Sequence, residues 1–169
     1  MLFRSCVEMQ FRAGFDFARA LSLVNKFLCE RSSASRFVTM FAFTLDKTGA
    51  GRMVNAGHNP AFLFRAATGE IEELTSNNMI VGAFSFATYE SSPLKLEKGD
   101  SLVIYSDGLT EAENPNGEML GETQVKDVIR REAAEGAQNL ERKLLEAIQV
   151  FTRGHPQSDD ITLMIIEKT

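Results

Sequence analysis

Between Asp46 and Glu70 the chain carries three turn-forming stretches, DKTGAG (46–51), NAGHNP (55–60) and RAATGE (65–70), separated only by short apolar runs. Gly, Asn and Asp at that density supply the backbone conformations that tight reversals need. A chain that reverses so often cannot be helical there, and the spacing predicts an antiparallel meander. The run before it, FVTMFAFTLD (37–46), sets Phe37, Phe41, Phe43 and Leu45 on one face and Val38, Met40 and Ala42 on the other. Apolar residues on both faces predict a strand covered on both sides, by a second sheet and by helices.

Helical periodicity flanks this β-rich middle. In FDFARALSLVNKFLCE (15–30), Phe17, Leu21, Val24 and Leu28 form one apolar stripe of an amphipathic helix. After the apolar strand Leu102 to Tyr105, two more helices are predicted. One carries Val125, Val128 and Ile129, the other Leu140, Leu144, Ile148 and Phe151, with Gly136 as the break between them. The last run, DDITLMIIEK, reads as a strand, and RGHPQS (153–158) as a surface loop. The opening MLFRSCVEMQFR has helical character with no capping residue ahead of it. The fold class expected is α+β, an antiparallel β-sandwich flanked by helices, and a chain of 169 residues is long enough for one such domain.

Charge and cysteine usage exclude several function classes. A formal net charge of -5 with no Lys/Arg run offers no attraction to a phosphate backbone or an anionic bilayer, so neither nucleic acid nor membrane is an expected partner. No run reaches the roughly 18 apolar residues of a membrane span, and no signal-peptide core is visible. Cys6 and Cys29 belong to no ligand cluster, which fits a reducing cytoplasm.

The chemistry-bearing candidates are acidic. IYSDGLTEAEN (104–114) follows a buried-looking strand with Asp107, Glu111, Glu113 and Asn114, while Asp159 and Asp160 precede the last strand. Were those two strands antiparallel neighbours, the end of one would lie roughly 5 Å from the start of the other and their carboxylates would converge. Like charges so placed repel unless a cation sits between them, and hard oxygen donors select Mg²⁺ or Mn²⁺. The residues alone leave a second reading open, in which Asp107-Gly108 is only a turn and the acidic pair only solvated surface. His58 and His155 sit in turns without a third ligand. Ser106 has no neighbour in sequence to activate it as a nucleophile, and no side chain is assigned a catalytic role.

Taken together, FVTMFAFTLD, NAGHNPAFLFR, LEKGDSLVIYSDGLTEAENPNGEMLG and SDDITLMII resemble, in order and spacing, the metal-dependent protein phosphatases of the bacterial SpoIIE/RsbU branch. That resemblance covers nearly the whole of residues 1–169. It implies a phosphoserine/phosphothreonine protein phosphatase domain that binds two Mg²⁺ or Mn²⁺ ions and hydrolyses its substrate without a covalent enzyme intermediate. Asp107 and Asp159 match ligands of one ion, Gly108 lets the chain turn tightly beside it, and Asp160 matches a supporting neighbour. The partner implied is a phosphorylated protein, by analogy an anti-sigma factor antagonist.

Relatives also carry an upstream strand and loop of the form GDVSGHG, whose Asp bridges both ions. The sequence does not contain it, so residues 1–169 are expected to be the C-terminal portion of a domain lacking its N-terminal part. Weak metal binding and little activity are the expected result, together with self-association through an exposed sheet edge. The alternative is a non-catalytic, phosphatase-like module that binds a partner.

Overall fold

The structure, a computed structural model, describes residues 17–31 and 37–169; the expected helical start and Cys6 lie outside them. Three helices, α1 (Phe17–Arg31), α2 (Gly121–Glu132) and α3 (Ala137–Thr152), accompany seven strands among the described residues. The strands are β1 (Met40–Leu45), β2 (Ala50–Ala56), β3 (Ala61–Arg65), β4 (Glu70–Leu74), β5 (Ser92–Lys95), β6 (Ser101–Tyr105) and β7 (Leu163–Glu167). Every strand pairing is antiparallel, in a sheet of order β1-β2-β5 and another of order β4-β3-β6-β7. The chain divides into two compact units, one within Met1–His58 and Thr75–Lys95, the other within Asn59–Leu74 and Leu96–Thr169.

In the first unit the DKTGAG stretch closes the β1-β2 hairpin, with Asp46 Oδ1 accepting the Thr48 and Ala50 amides. Helix α1 buries Ala18 and Leu21 with Val54, Ala56, Val81 and Tyr89; Val24 on the same helix is buried as well, and the stripe residues Phe17 and Leu28 pack at the margin. Asn25 is wholly buried on the same helix. Its amide donates to Phe84 O (2.9 Å), and its oxygen accepts the Gly82 amide (2.7 Å) and the Tyr89 hydroxyl (3.1 Å). One side chain therefore fastens the long β4-β5 connection to the helix. Burial pushes the Tyr89 phenol up to about 12, which keeps it a neutral donor at physiological pH.

Two expectations are corrected here. Strand β1 is only partly covered on its two faces: all but one of its residues are half-buried, Thr44 is exposed, and Phe37 just before it is 59% exposed. Among the described residues β1 is the edge of its sheet, which accounts for the exposure. The three turn stretches also do not make one meander. NAGHNP joins β2 to β3, which lie in different sheets, whereas DKTGAG and RAATGE close true hairpins.

In the second unit α2 and α3 bury Val125, Val128, Ile129, Leu140, Leu144 and Ile148 against Phe62, Phe64, Val103 and Tyr105 of the sheet. Gly136 separates the helices at φ 92°, a backbone that a side chain would strain. The first free amide of α3, on Ala137, donates to the Glu167 carboxylate of β7 (2.9 Å), which ties the helix start to the last strand.

Asp100, 2% exposed, anchors the turn that enters β6. It accepts the Glu97 and Ala66 amides (3.0 Å each) and the Arg65 guanidinium (2.8 Å). Burial by itself would raise its pKa, but the two amides and Arg65 outweigh it and hold the carboxyl below its ordinary value. A depressed folded pKa contributes stability that is present above the ordinary carboxylate value and lost as pH falls through the folded one. Asp100→Asn should therefore cost about 2 kcal/mol at neutral pH. In urea melts over a pH series, the gap between wild type and variant should close below pH 3.8. A gap that stays constant to the acid limit would remove Asp100 from this role.

Candidate functional site

The site is built where β6 ends and β7 begins. The two strands are antiparallel neighbours in the register Ser101↔Glu167 to Tyr105↔Leu163, so the residues after Tyr105 and before Leu163 meet at one edge of the sheet. Leu102, Val103 and Tyr105 are buried, which fixes this strand as a rigid support. Tyr105 packs its ring 5.2 Å from Phe62, and burial raises its phenol, helped by the nearby Glu122 and Glu73 carboxylates. The next residue leaves the strand. Asp107–Leu109 form a single 3-10 turn entered through Ser106 in extended conformation.

Three hydrogen bonds hold the two ends together. The Ser106 amide donates to Thr162 O (2.9 Å). The Ser106 hydroxyl accepts the Thr162 amide (2.8 Å) and donates to Asp160 O (3.0 Å). Gly108 presses against the same segment: a Cβ there would stand 2.7 Å from Asp160 O and 3.2 Å from Asp159 O. Asp107 and Asp159 both face solvent, each with its carboxylate accepting the amide of the following residue (3.0 and 2.7 Å). Gln157 Nε2 donates to Asp159 O within the same loop.

All four residues singled out in the sequence, Asp107, Gly108, Asp159 and Asp160, thus lie at one edge. The reason for the glycine differs from the one expected. Gly108 is not among the residues with positive φ, so the turn does not demand it; the closeness of the Asp160 carbonyl does. Gly108→Ala should force the two strand ends apart and cost about 1–3 kcal/mol, as overpacking does. A thermal melt checks this, and an unshifted midpoint would mean that the contact relaxes freely.

Asn114 is corrected as a metal-facing candidate. Its oxygen accepts the Asn116 and Glu118 amides and its nitrogen donates to the Glu118 carboxylate (2.7 Å), so the side chain shapes its own turn. Glu113 sits in a bridge to Met119, and Glu111 is exposed. His58 gives its amide to buried Asn55 Oδ1 (3.0 Å) in the NAGHNP turn, and His155 lies in the exposed loop after α3. Sequence reasoning weighs Ser106 only as a nucleophile and does not see that its hydroxyl joins the two strand ends. The signal that could find it is a hydroxyl directly before Asp-Gly, where the strand ends; considered only as a nucleophile, that hydroxyl has no role.

Carboxylate oxygens are hard donors that suit Mg²⁺ or Mn²⁺, and the glycine seat brings the chain segments bearing Asp107 and Asp159 together. These residues fit such an ion as part of a ligand set. Among the described residues no group of three or more His, Cys, Asp or Glu is placed to hold a metal.

The sequence pattern of the stage II sporulation protein E (SpoIIE) family matches residues 1–169. Phosphoserine phosphatase RsbU of Bacillus subtilis (strain 168) is 26% identical over 157 residues, covering 92% of this chain and 46% of that protein. The chain therefore spans about half the length of this curated relative. Two solved structures share its fold. The SiaA PP2C domain of Pseudomonas aeruginosa aligns at TM-score 0.77 and 20% identity, over 99% of this chain and 68% of that one. The PP2C phosphatase domain of SpoIIE from Bacillus subtilis, with a fragment of its regulatory domain, aligns at TM-score 0.77 and 20% identity, over 98% and 48%. No helix among the described residues is long and apolar enough to cross a membrane.

Proposed function

Given that the chain belongs to the SpoIIE family, we propose that residues 1–169 are the C-terminal portion of a Mg²⁺- or Mn²⁺-dependent phosphoserine/phosphothreonine protein phosphatase domain. The observation that carries this reading is the joining of the two acidic strand ends through Ser106 and Gly108. Asp107 and Asp159 supply carboxylates to one ion, Asp160 shapes the loop that presents Asp159, and Gly108 keeps the two segments in contact. Phosphoryl transfer asks a protein mainly for positioning and for neutralisation of developing charge. A bound divalent ion supplies that neutralisation. The chain's own residues hold this edge rigid: β6 lies between β3 and β7, Asp107 stands just past the end of β6, and Asp159 stands in the loop that enters β7.

The name of the relative RsbU supports a phosphoserine substrate. By analogy that substrate is an anti-sigma factor antagonist in bacterial signalling, and the compartment is the cytoplasm. Because the described residues bring no three ligands together, residues 1–169 alone should turn over little. The test fuses a strand and loop of the form GDVSGHG ahead of the chain and follows hydrolysis of a phosphoserine peptide. Hydrolysis that appears with Mn²⁺ and stops in chelator supports the proposal; hydrolysis that continues in chelator contradicts it. The incomplete ligand group also favours a second reading, a phosphatase-like module that binds a partner without turnover. Such a module should capture its partner equally well in chelator and in Mn²⁺.

A further inference from the structure

The Ser106 side chain solves a local conflict in backbone hydrogen bonding. In an unbroken antiparallel ladder the Ser106 carbonyl would accept the Thr162 amide, since the β6-β7 register continued by one step sets these residues opposite each other. That carbonyl is already used: it accepts the Leu109 amide (3.0 Å) and so starts the 3-10 turn that carries Asp107. The hydroxyl takes its place by accepting the Thr162 amide, and its own hydrogen goes to Asp160 O, on the far side of Ile161. The ladder thereby extends one residue beyond the point where β6 has turned away. A serine here lets one residue end a strand, begin a turn and remain tied to both sides of the opposing loop.

Resting on the metal-dependent reading above, we propose that Ser106 is the positioning residue of the site: it fixes the Asp107 turn relative to the loop bearing Asp159, and so sets how both carboxylates meet one divalent cation. Ser106 itself touches no reacting atom. Alanine removes both bonds and leaves the Thr162 amide without its partner, whereas threonine keeps the hydroxyl. Valine matches threonine in shape but lacks the hydroxyl, which separates bonding from packing.

The test uses the full 169-residue chain, Mn²⁺ alone as the probe, and two readouts. Amide hydrogen exchange reports the clamp, and paramagnetic broadening of backbone resonances reports the cation. In wild type, the amides of Asp107, Gly108, Asp159 and Asp160 should broaden together as Mn²⁺ is added. In Ser106→Ala and Ser106→Val the Thr162 amide should lose protection, and joint broadening should need roughly 10-fold more Mn²⁺, the lower end of what supporting residues cost a metal site. Ser106→Thr should restore both. If the alanine variant unfolds, seen as exchange throughout α3, the threonine and valine pair decides. Equal Mn²⁺ response in the threonine and valine variants would overturn the positioning role while leaving the cation site intact. Absence of broadening at both segments in wild type would sink the cation site itself, and the positioning role with it.

Discussion

Asp107→Asn should abolish Mn²⁺-dependent phosphoserine hydrolysis in the fusion that places a GDVSGHG segment ahead of the chain, by at least about 100-fold. Loss of a residue that merely supports a metal ligand typically costs roughly 10–100-fold, and an assigned ligand should lie at or beyond the top of that range. The amide keeps the shape of the carboxylate and one acceptor oxygen, so the turn should survive: the Gly108 amide, now bonded to Asp107 Oδ1 at 3.0 Å, still finds an oxygen. What disappears is the charge. A thermal melt should therefore change little while the rate collapses, and that split separates a ligand from a structural residue. Activity that persists in Asp107→Asn would remove this residue from the site, whatever the fate of the rest of the assignment. Asp159→Asn tested alongside should behave alike, because the same ion is assigned to both.

The largest loss of stability from a single polar side chain should come from Asn25→Ala. The variant leaves the Gly82 amide without its Asn25 partner, while the Phe84 carbonyl keeps the Ala87 amide (3.0 Å) and Tyr89 keeps a contact to Ile80 O (3.4 Å). Orphaning that amide and losing the two other bonds of the wholly buried Asn25 should together cost about 3 kcal/mol, a substantial part of the roughly 5–15 kcal/mol that holds a typical domain folded. Urea unfolding should show a lower midpoint at unchanged slope. Tyr89→Phe removes only one bond of the group and should cost about 1 kcal/mol. If the two variants cost the same, Asn25 is not the hub that the hydrogen bonds describe.

How much of the molecule is legible in its sequence depends on which residues are asked. The stripe Phe17, Leu21, Val24, Leu28 and the pair of patterns around Val128 and Leu144 mark helices at the right places, because only a helix gathers residues at a 3.6-residue period onto one face. The edge position of β1 is not legible. Apolar residues on both faces say that both prefer cover, but not how much neighbouring chain supplies it. NAGHNP carries every mark of a hairpin and instead passes the chain from one sheet to another, since turn chemistry dictates reversal and not the partner of the next strand. Asp107 and Asp159 stand out by residue type, and the β6-β7 pairing brings their neighbours together. The sequence marks Gly108 for the wrong property, because the distance to Asp160 O belongs to tertiary structure. The bonding of Ser106, weighed in the sequence only as a nucleophile, is hidden for the same reason: its partners lie 54 and 56 residues away.

The two compact units are interleaved along the sequence, one taking residues up to His58 and again from Thr75 to Lys95, the other the remaining stretches. No single cut of the gene can yield both halves entire. Any attempt to express the acidic edge as a minimal piece must begin no later than Asn59 and carry Thr75–Lys95 as a passenger, or splice it out with a designed linker from Leu74 to Leu96.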